Sequence, residues 1–295
     1  MNDLLISVLR SGTPLVYVTM AGMLAQRTGI WHLGLEGLMI IGACASVVGT
    51  AETGSLAAGM AIAIVLCMLV SALLWLAIEK LRANPIIAGL GITGLGLGGT
   101  DLAIQSIYGS EAAVTSPVGL PHLPPAFGPY AVLSVLVAAM PFVVAFLFVL
   151  VRRTRFGLRL SAAGEHPFAA RSVGINPPRM RLLALVAGGV LCALGGAELA
   201  LGSLQLFSVN MTAGRGFMGF AAVIFGASHP IGSTAAALFF SLVESLGITA
   251  QLAFGQRVPQ DLLLALPYLA TVLGVWISGR LRGGMATGFA ELREY

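Results

Sequence analysis

Residues 57–79 read AAGMAIAIVLCMLVSALLWLAIE, and their only charge is the closing Glu79. An α-helix rises about 1.5 Å per residue, so about 20 mostly apolar residues cross the roughly 30 Å hydrocarbon core of a bilayer. This stretch is long enough and apolar throughout. Lys80 and Arg82 follow it directly, and basic residues collect at the cytoplasmic ends of membrane spans. The whole chain shares this character. Of its 295 residues, 57% are apolar and 9% charged, against about 25% charged in soluble domains. Mean hydropathy is +0.94. Most of the surface must therefore face something other than water.

Further spans are read at about 4–25, 31–50, 84–107, 129–151, 182–203, 213–227, 231–253 and 259–280. Together they predict an all-α polytopic membrane protein of about nine transmembrane helices, with eight to ten as the range. The span at 213–227 is short enough to be a half-helix, and Gly12 and Pro14 make the first irregular. The N-terminal residues MNDLLISVLRSG lack a basic region before the apolar one, and Arg10 interrupts it. They read as part of the first span, not as a cleaved signal.

Charge sets the orientation. With the N-terminus outside, inside segments hold Arg27, Lys80, Arg82, Arg152, Arg153, Arg155, Arg159, Arg171, Arg179, Arg181, Arg280, Arg282 and Arg293, leaving outside only Arg10, Arg215 and Arg257. The net charge of +4 is thus a topology signal, and no nucleic-acid partner is expected. Residues 108–128, rich in Pro and Gly, read as an external loop. Residues 152–181 form the one long basic loop. Within it, Pro167 to Val173 suits a short helix with Pro at its first position and Gly174 just past its end.

Few motifs carry chemistry. Gly89-Leu90-Gly91-Ile92-Thr93-Gly94 fits G-x-G-x-x-G, but no strand precedes it and the glycines run on through Gly96, Gly98 and Gly99. Close helix packing in a membrane is the better reading. The only lysine, Lys80, lies between Glu79 and Leu81, so no Walker A nucleotide loop exists. Cys44, Cys67 and Cys192 lie within apolar runs as small buried side chains. His32, His122, His166 and His229 make no metal-ligand spacing. His229, in Ser228-His229-Pro230, reads as a turn residue. No metal or cofactor is expected, and no Ser/His/Asp or paired-acid arrangement marks an intramembrane enzyme.

Buried charge is more telling. Glu36, Glu198 and Glu244 fall inside apolar spans. A carboxylate at mid-bilayer costs roughly 2.5–3.5 kcal/mol on the insertion scale and normally faces a partner or a cavity. Glu198 and Arg215 both fall toward the outer side, so a pair between them is expected. Asp101 follows Gly98-Gly99-Thr100, where irregular backbone is expected. Glu36, Asn84, Glu198, Arg215 and Glu244 are the candidate pathway or buried polar residues. If the acids were proton carriers, the chain would be an ion- or proton-coupled secondary transporter of a small polar solute.

Several segments resemble the permease subunits of bacterial ABC importers of the branched-chain amino acid and ribose permease family, most of all its nucleoside and simple-sugar branch. They are Thr28-Gly29-Ile30 with Leu33-Gly34-Leu35-Glu36-Gly37, Ala83-Asn84-Pro85-Ile86-Ile87-Ala88-Gly89, and Phe156-Gly157-Leu158-Arg159-Leu160 through Gly164-Glu165-His166-Pro167 to Gly174-Ile175-Asn176. Leu194-Gly195-Gly196-Ala197 and Thr212-Ala213-Gly214-Arg215-Gly216-Phe217 to Ala222-Val223-Ile224-Phe225-Gly226 continue the series. The resemblance implies a type II ABC importer permease-like fold, with residues 1–295 as one transmembrane permease domain. It implies an ATPase subunit, a second permease subunit that is a different chain or otherwise a second copy of this one, an external periplasmic or lipid-anchored substrate-binding protein, and a multi-pass place in the bacterial inner membrane. Gly164, Glu165, His166, Pro167, Phe168, Arg171, Val173 and Gly174 would form the element that couples to the ATPase. Phe168 and Val173 are expected on its packed face.

Overall fold

The computed structural model describes residues 2–109 and 113–254. The order of helices is α1 (Asn2–Arg27), α2 (Leu35–Thr53), α3 (Leu56–Glu79), α4 (Pro85–Tyr108), α5 (Val135–Arg153), α6 (Arg155–Glu165), α7 (Pro167–Ser172), α8 (Pro177–Ala197), α9 (Arg215–Phe225) and α10 (Pro230–Phe254). Seven helices among the described residues are long and apolar enough to span: α1 to α5, α8 with the π turn Glu198–Leu204 that extends it, and α10. The short α9 stands where the half-helix was expected. The expected span at 259–280 lies outside the described residues.

α2 is the axis of the bundle. It packs on α3, α4 and α8, while α1 packs on α8, α9 and α10. Glycine makes these approaches possible. A Cβ on Gly96 of α4 would lie 2.6 Å from the Cα and carbonyl oxygen of Gly37 on α2, and one on Gly42 would lie 2.7 Å from Cα of Ala193 on α8. Backbone cannot yield as a side-chain tip can, so these contacts exclude any side chain. Such small-residue seams bring membrane helices together where lipid supplies no hydrophobic drive.

The helix ends follow local chemistry. Asn84, Ser134, Thr154 and Asn176 cap α4, α5, α6 and α8 through side-chain oxygens that accept backbone N–H groups. Ser134 explains why α5 begins at Val135 and not near 129: residues Pro125–Val132 before it are a kinked 3-10 stretch. α2 likewise starts at Leu35 and not near 31. The intervening chain turns at Gly29 (φ 81), and Leu33 and Gly34 lie against Gly89 of α4, so α2 starts within the bundle.

Two sequence expectations of irregular backbone are corrected. α1 runs unbroken through Gly12 and Pro14. α4 runs unbroken past Asp101. The irregularity lies elsewhere, between α8 and α9, where the π turn gives way to strand β2 (Leu206–Ser208), paired antiparallel with β1 (Ala113–Thr115).

Arginines brace one end of the bundle. Arg27 donates to the Ser228 carbonyl (3.0 Å) and to Ser161 Oγ (3.1 Å), tying α1 to α6 and to the α9–α10 turn that holds His229. Arg181 of α8 pairs with Glu79 of α3 at 2.6 Å and donates to the Thr28 carbonyl at 3.2 Å. The β1–β2 ribbon and the Tyr108–Glu52 hydrogen bond (2.7 Å) mark the opposite end.

Candidate functional site

Two constellations emerge, one inside the bundle and one on its basic end. The inner one is built by the irregular chain after α8. Asn210, Ala213 and Gly214 all have positive φ (60, 45 and 84). This turns the backbone so that α9 begins inside the bundle, with Gly219 against Val18 and Thr19 of α1. The first N–H groups of a helix have no partner within it. Glu36 supplies one. Its carboxylate accepts from Thr212 Oγ (2.5 Å), from the Gly214 N–H (2.9 Å) and from the Gly216 N–H (2.5 Å). Glu36 itself lies in the first turn of α2 and is 2% exposed. One carboxylate thus answers the positive ends of two helices, a favourable place for a negative charge. Gly216 has no room for a side chain because the Glu36 backbone lies against it.

Arg215, the first residue of α9, turns to α10 and pairs with Glu244 at 2.5 Å. The expected pair of Glu198 with Arg215 does not form. Glu198 begins the π turn at the far end and accepts a 2.5 Å hydrogen bond from Ser134 Oγ, the hydroxyl that also caps α5. The chain that re-enters the bundle after the π turn carries Arg215 away from it. Two of the sequence-flagged residues, Arg215 and Glu244, therefore meet across α9 and α10, Glu36 binds the backbone on either side of Arg215, and Glu198 does not join them. Asn84 is exposed and serves as a helix cap; it is no buried polar group. Sequence reasoning missed Thr212 and Ser134 as the partners of the two acids. At the entry to α2, His32 accepts from the Gly34 N–H at 3.2 Å, and burial lowers its imidazole to about 4, so it is neutral at pH 7.

The second constellation is the pair α6 and α7. Gly164 lies against the backbone of Thr28 and Gly29, which seats α6 on the end of α1. After His166, α7 begins with Pro167 at its first position and ends before Gly174, whose φ of 80 suits glycine. Ala170 is buried and anchors the short helix. Phe168 and Val173 are 81% and 74% exposed, so nothing among the described residues covers them. Glu165, His166 and Arg171 are exposed beside them. An open recess between α7 and the start of α8 is lined by Arg171, Gly174, Ile175, Asn176, Pro177 and Pro178. Among the described residues no group of three His, Cys, Asp or Glu gathers as a metal site.

The described residues thus form an all-α bundle of spanning helices with a carboxylate junction inside it and an exposed short helix at one end. Comparison with known proteins gives the family. The branched-chain amino acid transport system / permease component family matches residues 4–284, and the chain belongs to it. It is 34% identical over 287 residues to the guanosine ABC transporter permease protein NupQ of Bacillus subtilis, covering 89% of this chain and 87% of NupQ. It is 33% identical over 283 residues to the nucleoside ABC transporter permease protein NupC of Lactococcus lactis, covering 88% of this chain and 87% of NupC. A second permease of that organism, NupB, is 35% identical over 94 residues, covering 32% of this chain and 26% of NupB. No solved structure matches the chain. The chain is thus a permease subunit of an ABC importer, a multi-pass protein of the inner membrane. As an ABC permease it works with an ATPase and other subunits.

Proposed function

We propose that this chain is one of two different permease subunits of an importer for nucleosides or related simple sugars, and that residues 1–295 form a single permease domain. The basic end faces the cytoplasm, and α6 with α7 receives the motion of the ATPase. A periplasmic or lipid-anchored substrate-binding protein meets the opposite end. The observation that carries the coupling role is the exposure of Phe168 and Val173 on a short helix bounded by Pro167 and Gly174. Apolar side chains on a cytoplasmic knob have no lipid to cover them, and nothing among the described residues does so here; buried anchors of this kind dominate interface energies. The names of NupQ and NupC support the substrate class. The proton-carrier alternative gains nothing from the junction: Glu36 is held by three hydrogen bonds and Glu244 by Arg215.

One experiment on the assembled transporter in membrane vesicles tests this. Phe168→Ala should weaken ATPase co-purification and abolish ATP-driven uptake while insertion stays normal. Gly174→Pro should act alike, since proline fixes φ near −65° where the chain needs 80°. Arg171→Ala should have a smaller, salt-sensitive effect. Uptake by the unaltered transporter should be competed by nucleosides more than by amino acids. An ATPase that stays bound to all three variants, with uptake intact, would reduce α6 and α7 to a topology anchor. Competition by ribose alone would move the substrate to a sugar.

A further inference from the structure

The half-helix α9 is held at both ends. Its first backbone N–H groups go to the Glu36 carboxylate inside the bundle. Its other end runs into a turn where Ala227 and Ser228 both take left-handed backbone, with φ of 51 and 53. Residues with a Cβ avoid that region, and such strain persists only where the surroundings fix it. Here the Ala227 and Ser228 N–H groups donate back to the Ile224 and Val223 carbonyls of α9, each at 3.0 Å. Gly226 lies so close to Ser233 of α10 that a side chain would overlap it. The turn is therefore a stiff end-piece of α9, and a force on Ser228 moves the half-helix as a body.

Arg27, the last residue of α1, grips this end-piece. Its Nε donates to the Ser228 carbonyl at 3.0 Å, and its Nη1 donates to Ser161 Oγ of α6 at 3.1 Å. The backbone of α6 closes on the same residue, because Gly164 lies against the Arg27 carbonyl. A guanidinium is planar, and its donors sit in a fixed fork. Two acceptors on one fork keep their spacing, so a shift of α6 either carries the Ser228 carbonyl with it or breaks a hydrogen bond. Arg181, at the same end, makes a useful contrast. It joins two spanning helices and has the Glu79 carboxylate as partner, which suits a fixed brace. Arg27 joins two short elements through neutral oxygens, which hold it by hydrogen bonds alone.

We infer that Arg27 is a positioning residue for transport: it passes movement of α6 to the turn after α9, and so to the junction at Glu36. The inference rests on the coupling role proposed above for α6 and α7 and adds the residue that carries the motion into the bundle.

The test uses the complete transporter in membrane vesicles supplied with ATP and a mixture of labelled nucleosides and ribose. It reads uptake per ATP hydrolysed, together with ATPase co-purification. Arg27→Gln should keep the ATPase bound and hydrolysing, while uptake per ATP falls about tenfold, the size of one lost hydrogen bond to a charged group. Ser161→Ala removes a single hydroxyl and leaves the Ser228 arm in place, so the fall should be about threefold. The double variant should be no worse than Arg27→Gln alone, because both changes break one link. A merely structural Arg27 would lower the amount of transporter, and hydrolysis and uptake together, with the ratio unchanged; that result would overturn the inference. Release of the ATPase by Arg27→Gln, or additive effects in the double variant, would overturn it as well. If Arg27→Gln did not accumulate, Ser161→Ala decides alone, and an unchanged ratio there counts against the link. Phe168→Ala, run beside them, separates the two readings. An ATPase that stays on Phe168→Ala with uptake intact would sink the coupling role of α6 and α7. An ATPase released by Phe168→Ala, with a normal ratio in the Arg27 and Ser161 variants, would sink only the role of Arg27.

Discussion

α3 and α4 are neighbours of equal length, 24 residues each, with opposite outward faces. α3 buries Gly59, Ala63, Cys67 and Ser71 and leaves Ala57 and Ala61 exposed. Its outward face is Ile62, Val65, Leu66, Leu69, Leu73 and Leu76, with no polar atom on any of these side chains. α4 turns glycine both ways and carries Asp101 and Gln105 outward, beside exposed Ile87, Leu90, Leu95, Leu102 and Ile107. Both faces are exposed in the single chain, so exposure alone does not separate them. Chemistry does. A large apolar face is already at home in acyl chains, where nothing is gained by adding a protein neighbour. A glycine face with a carboxylate gains from close packing and from hydrogen bonds. Where each helix keeps its glycines and polar side chains is therefore what separates the two exposed faces.

The largest expected effect tests the lipid side of that contrast. Leu69→Asp puts a carboxylate near the middle of the outward face of α3, at an insertion cost of about 2.5–3.5 kcal/mol. The apparent equilibrium constant for insertion of the α3 segment should fall by about a hundredfold, since 1.4 kcal/mol is about tenfold, as read in a glycosylation-tag insertion assay. Asp101→Leu, the reverse change on α4, should leave insertion normal or raised. If Leu69→Asp inserted as well as the parent chain, the α3 face could not be assigned to lipid.

Next in size is the inward face of α4. Gly96→Ala forces a methyl group onto the backbone of Gly37, 2.6 Å from its Cα. Overpacking of this kind costs about 1–3 kcal/mol. The thermal midpoint of the detergent-purified chain should drop, by an amount that Gly98→Ala does not reproduce. Equal midpoints for the two variants would mean that α2 and α4 do not touch as described.

Much of this was legible in the sequence. Long apolar runs and the placement of arginines gave the spans, and Pro167 with Gly174 marked the short helix before any coordinates. The partners of the buried acids were not legible. Thr212 and Gly214 come to Glu36 from more than 170 positions away, and sequence spacing holds no record of such contacts. The expected Glu198–Arg215 pair failed for a related reason. Depth was judged by counting residues along straight spans, while positive φ at Asn210, Ala213 and Gly214 folds the chain back and lowers Arg215 into the bundle. The glycines of α4 were read as a packing signal, correctly for Gly89 and Gly96. That they divide into two opposite faces follows from helical spacing, but which face meets α2 required the fold.

The smallest effect is the most discriminating. Gly94→Ala adds one methyl group to a position with nothing around it in the single chain. Glycine inside a helix is less favourable than alanine by roughly 0.5–1 kcal/mol, because it has more backbone freedom to lose. In the isolated chain the variant should therefore be neutral or slightly more stable in a detergent melt. Gly96→Ala, on the opposite face of the same helix, should do the reverse, because its methyl group meets the backbone of Gly37. The sign of the change thus differs between two glycines of one helix. If Gly94→Ala destabilised the chain as Gly96→Ala does, both faces of α4 would be closed against protein within the chain. The open glycine face that sets α4 apart from α3 would then not exist, and the contrast between the two helices would dissolve.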